Sequence, residues 1–284
     1  MFQKHRECFD MRWRLKSLKY ASLWFAMLFL CIFSAQAADN VSSSPLTIHL
    51  YELQDRLDSE GSKGYNYLIE DLLSGYKRQV KFRLAPIRRN SKEFIRNEGS
   101  CVFPANINAI KKANEEAANA RYISSEPIDT VSVYIYVAEN MIPPKSFDEL
   151  KNRHIGHVTG SVARFFLKDS GAEVHSAASD DLLLQMLMNG RIDTIVGFHP
   201  DIAIAFDRLG YRNLVRSKDF VLLKANTSFV CHETEDNRDF IDWVNPRIID
   251  MAKSGLIQKH LGRHAEVPHA STLNADINKS PMHN

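Results

Sequence analysis

The chain has 284 residues, 36 Lys+Arg against 34 Asp+Glu, and a formal net charge of +2. The segment before Ala38 takes six of the basic residues and two of the acidic ones, so the remainder is slightly acidic. That balance gives no electrostatic footing for a nucleic-acid partner, and the length suits two small lobes or one large domain.

Residues 1–37 read as an export signal. Lys4, Arg6, Arg12, Arg14, Lys16 and Lys19 form a basic region, and Tyr20 to Phe33 is apolar but short for a transmembrane helix. Ala35-Gln36-Ala37 supplies a small-x-small cleavage pattern. An uncleaved anchor is the rival reading. Periplasmic localisation is expected, and Cys101 and Cys231 then meet an oxidising compartment. At this level a disulfide and two buried thiols both remain open.

Beyond the signal, Leu46 to Leu50 alternates as a strand. Tyr65, Leu68, Ile69, Leu72 and Leu73 fall at helical spacing, predicting a helix over 64–76. Val80 to Leu84 predicts a second strand. Asn90 or Ser91 is read as the cap of the next helix, closed by Gly99. Cys101-Val-Phe103 is a third strand, and residues 106–120 one helix. Val131 to Val137 is a long β-branched and tyrosine run. Ser146-x-x-Glu149 reads as a capping box. Ile155–Val158 is read as a strand, Val162–Lys168 a helix and Glu173–Ser176 a short strand. Asp180–Met188 is a helix stopped by Gly190, and Ile192–Val196 a buried strand. Phe220–Lys224 and Ser228–Cys231 are expected as two strands. Asp239–Leu261 is the last helical region, with Pro246 near a helix start and Gly255 as a stop. Alternating strands and helices imply an α/β protein with mostly parallel sheets.

Seven stretches, in order, resemble the periplasmic solute-binding proteins of the extracellular family 3 type, receptors of amino-acid-type ABC importers. They are Gly64-Tyr65 to Leu73, Pro86 to Gly99, Ser125-Glu-Pro-Ile128, Ser146 to Leu150, Ile155 to Ser161, Gly190-Arg-Ile-Asp193, and Phe240 to Gly255. The resemblance implies a type II periplasmic-binding-protein fold, two α/β lobes joined by a two-strand hinge near residues 130–140 and 222–228. Lobe I would comprise 45–135 and 225–262, lobe II 136–224, with a disordered tail over 263–284. It also implies that Cys101 and Cys231 lie on neighbouring strands of lobe I, which favours a disulfide. Two departures bear on the ligand. The position where such receptors carry the arginine for a ligand carboxylate is Ala118. The position of the carboxylate for a ligand ammonium is Phe198. An ordinary zwitterionic amino acid is therefore not the expected solute, since a buried charge without a partner costs several kcal/mol.

Each candidate ligand residue has a plainer rival. Gly160 and Ser161 offer backbone N–H groups and a hydroxyl at a helix start, or simply cap it. Arg88 and Arg89 follow a strand end, at the rim where α/β clefts lie, and suit an anion; the rival is a solvated pair. Tyr51 and Tyr65 are placed to stack on a ligand or to pack. Phe198 would line lobe II or fill its core, and Asn106 and Tyr122 complete the set. No elbow, zinc helix or paired Cys-x-x-Cys occurs. The histidines at 260, 264, 269 and 283 lack rigid metal spacing. The expectation is a monomeric, non-enzymatic receptor without catalytic residue, metal or cofactor. It would close on a small polar solute and engage an ABC permease or membrane sensor. An enzyme on the same fold and an accessory envelope protein are the rivals.

Overall fold

A computed structural model describes residues 44–268. The expected signal and residues 269–284 of the expected tail lie outside the described residues. Apolar residues spaced two apart make Leu46–Tyr51 the first strand, β1, which lies between two parallel neighbours, β2 (Val80–Ala85) and β3 (Ser100–Ala105). Parallel strands need crossovers, supplied by helices α1 (Gly64–Leu73) and α2 (Ile87–Arg96). Two short helices follow, α3 (Ile107–Ala113) and α4 (Glu115–Ala118), then strand β4 (Tyr122–Ser124).

Strand β5 (Asp129–Ala138) begins a second sheet. It pairs antiparallel with β8 (Thr194–His199), which continues in parallel through β6 (His154–Val158) to β7 (Glu173–Ala177). Helices α5 (Ala163–Leu167), α6 (Asp180–Met188) and α7 (Asp201–Arg208) connect these strands or follow them. Side chains beyond hydrogen would hold α6 and α7 off the sheet at two points. A Cβ at Gly156 would lie 2.7 Å from Leu183, and one at Gly197 2.6 Å from Ile202.

The chain returns along β9 (Leu214–His232), nineteen residues long, and ends its regular structure with α8 (Glu235–Lys253) and α9 (Leu256–Leu261). The strand order is β2-β1-β3-β9-β5-β8-β6-β7, with β4 also on β9. Both sheets are covered on two faces. In lobe I, α1, α8 and α9 enclose Leu68, Leu72, Phe103, Phe229 and Phe240, and the opposite face packs Phe94, Ile110 and Ala117. In lobe II, Leu183, Leu184, Ile195 and Ile202 fill one face and Val133, Ile135, Leu167 and Val196 the other.

Two strands join the lobes. β9 pairs with β5 from Leu214 to Thr227, then with β3 and β4 from Ser228 onward. Beside it, residues 125–128 link β4 to β5, held by Ser125 N–H to Phe229 O and Ile128 N–H to Thr227 O, each 2.9 Å. β9 therefore replaces the two separate strands expected from the sequence. Pairing first with β5 and then with β3, through register shifts with each, keeps the backbone extended from Leu214 to His232.

Other local expectations also change. α2 starts at Ile87, after Pro86. Asn90 is fully buried within it, and its amide donates to Leu50 O and Arg83 O, tying α2 to the ends of β1 and β2. The helix over 106–120 is two, because Asn114 caps a new start at Glu116 N–H. Ser146-x-x-Glu149 leads only into a 3-10 turn, Asp148–Leu150, and Glu149 accepts from Lys145 N–H instead. Pro246 lies inside α8. Residues 263–268, the start of the expected tail, run back over the hinge: Thr130 and Glu266 form an antiparallel bridge. Among the described residues no helix is long and apolar enough to cross a membrane.

Cys101 and Cys231 are register partners on β3 and β9 and form a disulfide across 130 residues of sequence. Closing so long a loop restricts the unfolded chain. Reduction, or Cys101→Ser with Cys231→Ser, is expected to cost about 2–5 kcal/mol, read as a lower midpoint in chemical denaturation.

Candidate functional site between the lobes

Ligands of open α/β sheets sit beyond the C-terminal ends of parallel strands. Here the loops after β1 and β2 meet those after β8 and β6. Arg56, beyond β1, grips Asp201, beyond β8, through Nε to Oδ1 at 2.8 Å and Nη2 to Oδ2 at 2.9 Å. Arg88, beyond β2, approaches Gly160, beyond β6: its Cδ is 3.9 Å from where a Cβ on Gly160 would be.

Arg56 is only 6% exposed, so its charge has to be met by protein. Nη1 donates to Tyr65 Oη at 2.8 Å and to Asp129 Oδ2 at 3.1 Å, and Tyr65 donates to the same Asp129 oxygen at 2.8 Å. Burial works against the guanidinium, but Asp201, Tyr65 and Asp129 more than offset it and its pKa rises. Burial likewise pushes the Asp129 carboxyl up, against Arg56 and Tyr65.

A second bridge runs beside the first. Arg208 on α7 donates from Nε to Asp55 Oδ1 at 2.8 Å in lobe I and also binds Asp181 of lobe II. Gln54 reaches Asp181 at 3.3 Å. Asp180 lies among these groups, and its carboxyl is pushed up to about 7 by burial, then by Asp201, Asp55 and Asp181. A groove of about 510 Å³ opens next to the pair, lined among others by Asp55, Arg56, Lys63, Arg208, Arg263 and His264. Arg263 and His264 both bind Asp207 on α7, fastening the C-terminal segment to lobe II.

The nine residues singled out in the sequence divide in the structure. Arg88 and Gly160 face each other, and Ser161 follows with a buried Oγ that finds no partner among the described residues. Arg89 is exposed in the first turn of α2. Asn106 caps α3 through Ala109 N–H and donates to Asn226 O at 3.0 Å, at the hinge. Phe198 packs against the lobe II core. Tyr51 is buried against α2, its hydroxyl 2.9 Å from Ser91 Oγ. Tyr65 is wholly buried and serves the Arg56 cluster. Tyr122 stacks on Phe94 and packs at a tilt against His232.

Sequence reasoning missed Arg56, Asp129, Asp180, Asp201 and Arg208. Their spacing follows no motif, and Arg56 sits in a charged stretch that reads as loop. Beyond the end of β8, the carboxylate is Asp201, in the first turn of α7.

No protein-family model matches the chain, and no curated protein matches it. Solved structures do. The GluR0 ligand-binding core in complex with L-glutamate superposes with a TM-score of 0.61 at 12% identity, over 79% of this chain and 100% of that one. An ancestral arginine-binding protein bound to arginine gives 0.57 at 16%, over 77% and 97%. A histidine kinase sensor domain with similarity to periplasmic binding proteins gives 0.60 at 12%, over 80% and 99%. The likeness is one of fold: this chain has the two-lobed type II periplasmic-binding-protein architecture.

Removing Arg56 leaves the buried Asp129 and the partly buried Asp201 without their cation. Arg56→Ala is expected to cost about 3–5 kcal/mol in denaturant titration. Asp201→Asn removes only the inter-lobe half, and is expected to raise the radius of gyration in small-angle scattering.

The pH dependence follows from two groups. Asp180, raised to about 7 from 3.8, stabilises fully below about pH 4 and loses that contribution as pH rises through about 7. His199, lowered to about 4 by burial and then by Arg216, contributes fully above 6.5 and loses it as pH falls. Above pH 6.5 only Asp180 still titrates of the two, so wild-type melting temperature is expected to fall from there toward pH 8 and Asp180→Asn to flatten the fall.

Proposed function

We propose that this chain is an exported, periplasmic solute receptor that closes its two lobes on a small polar solute and presents it to a membrane partner, an ABC permease or a sensor. The observation that carries this reading is the Arg56–Asp201 pair, which joins the lobes where solutes bind in such folds. The disulfide supports an oxidising compartment. Arg88, Arg89, Asn106, Gly160 and Ser161 form the ligand-facing set, with Phe198 on the lobe II side. Tyr51, Tyr65 and Tyr122 shape it from behind. The unpartnered Ser161 hydroxyl supports its role, since an unmade buried hydrogen bond costs about 1–3 kcal/mol.

The solute is not an ordinary α-amino acid. A zwitterion needs one cation and one anion from the protein. Here Arg56 and Asp201 satisfy each other with two parallel hydrogen bonds. Closure is the working motion, with lobe positions shifting between open and closed populations.

A thermal-shift screen of amino acids, dicarboxylates, polyamines and short peptides tests the reading. One of the last three classes is expected to raise the melting temperature, and common α-amino acids to leave it unchanged. Arg88→Ala and Ser161→Ala are then expected to weaken the hit about tenfold, or about 1.4 kcal/mol, by calorimetry. A panel with no stabilising solute would overturn the receptor reading in favour of an accessory envelope protein. Turnover of the hit would replace it with an enzyme.

A further inference from the structure

At the far end of the strand order, away from the lobe junction, three side chains converge for which neither the core nor the inter-lobe contacts account. β6 and β7 pair in parallel, with His154 opposite Glu173 and Gly156 opposite His175. Glu173 and His175 are two apart on β7 and so share a face, and His154 joins them there from β6. The two imidazoles lie face to face, centroids 5.5 Å apart and planes inclined by 22°.

The donor spacing is the telling quantity. His154 Nδ1 and His175 Nε2 are 3.3 Å apart. Glu173 Oε2 is 3.4 Å from the first, and its Oε1 is 3.5 Å from the second. Four donors at about 2.0–2.1 Å around a tetrahedral ion are separated by about 3.3–3.4 Å. The edge between the two imidazole nitrogens matches that figure; the two Glu173 edges run to different carboxylate oxygens, so the carboxylate turns to offer one oxygen to the ion, and one donor atom from each residue already lies within 4.8 Å of the others.

We propose that His154, Glu173 and His175 form a binding site for a divalent first-row transition cation of the zinc class, with water completing its coordination. Two imidazole nitrogens and one carboxylate favour zinc, nickel or copper over magnesium or calcium, which take oxygen donors. The site is open to solvent: the side chains are 48%, 64% and 32% exposed for His154, Glu173 and His175. Its backbone is held in place, with Glu173 N–H on Arg153 O and His154 N–H on Asp193 Oδ2, each 2.9 Å. Strands rather than loops carry all three donors, which favours a fixed geometry. The ion would clamp β7, the last strand in the order, to β6.

The reading of the sequence expects no metal site. His154 and His175 stand 21 residues apart on separate strands, so no local spacing betrays them.

Calorimetric titration of the metal-stripped full chain with Zn²⁺ tests the proposal. One equivalent is expected to bind to the parent and to raise its melting temperature. His154→Gln with His175→Gln, and separately Glu173→Gln, are expected to weaken that binding by more than about tenfold, since even outer-shell changes cost 10–100-fold. The melting temperature without metal serves as the folding control, and these exposed substitutions are expected to leave it unchanged. Co²⁺ is expected to give tetrahedral d–d absorption in the parent alone. If the double variant titrates like the parent, the ion sits elsewhere among the chain's eleven histidines and the proposal fails. Absence of binding to the parent overturns it equally. Neither result touches the receptor reading, whose residues lie elsewhere in the fold.

Discussion

A buried guanidinium sets the arrangement of this molecule. Arg56 leaves lobe I in the loop after β1 and finds every partner elsewhere: Tyr65 on α1, Asp129 at the start of β5, and Asp201 at the start of α7. Taking such a charge out of water costs several kcal/mol unless its donors are matched. The match exists only when hinge strand, lobe I and lobe II stand in this relation. The lobes are thus held by geometry as well as by attraction, and sliding one of them would leave buried charges unpaired.

Around that pair the junction is richer in acids than in bases. Asp55, Asp129, Asp180, Asp181 and Asp201 face Arg56 and Arg208. The two arginines satisfy four of the five carboxylates directly. Asp180 is the one left over, and burial first, then the neighbouring Asp201, Asp55 and Asp181, raise its pKa. Arg56 to Asp201 and Arg208 to Asp55 each cross from one lobe to the other, so the rims attract where they touch although acids remain in excess. The C-terminal segment reinforces it, with Glu266 beside His199, Arg216 and Lys224, and Arg263 and His264 on Asp207.

The hinge strand is anchored where it enters lobe I. Cys231, near the end of β9, is bonded to Cys101 on β3, so the last part of β9 is fixed to the lobe I sheet. Beyond Ser228 in the other direction, β9 follows β5 into lobe II, with pairing that shifts register between Val133 and Tyr136. The regular stretch of β9 between the lobes, Leu223 to Thr227 against β5, is flanked by a register shift on each side, one against β3 and one against β5.

Much of the fold is legible in the sequence. Helix α6 spans Asp180–Met188 and stops before Gly190 as read, and β1, β2, β3 and β6 fall within a residue or two of their expected spans, because period and capping act over a few residues. The two-lobed class follows from their order. Boundaries that depend on distant partners are not legible: Asn90 looks like a cap until β1 and β2 supply carbonyls for it, and β9 looks like two strands until β5 and β3 pair along it. The site divides in the same way. Gly160, Ser161 and Arg88 are suggested by their places after strands. Arg56 and Asp201, 145 residues apart, become partners only when the lobes meet, as do His154 and His175 only when β6 and β7 pair. The chain alone indicates which segments form strands and helices, though not all of their ends. Which charges face each other is decided by the tertiary structure, because a charge pair depends on distance in space, on which sequence spacing is silent.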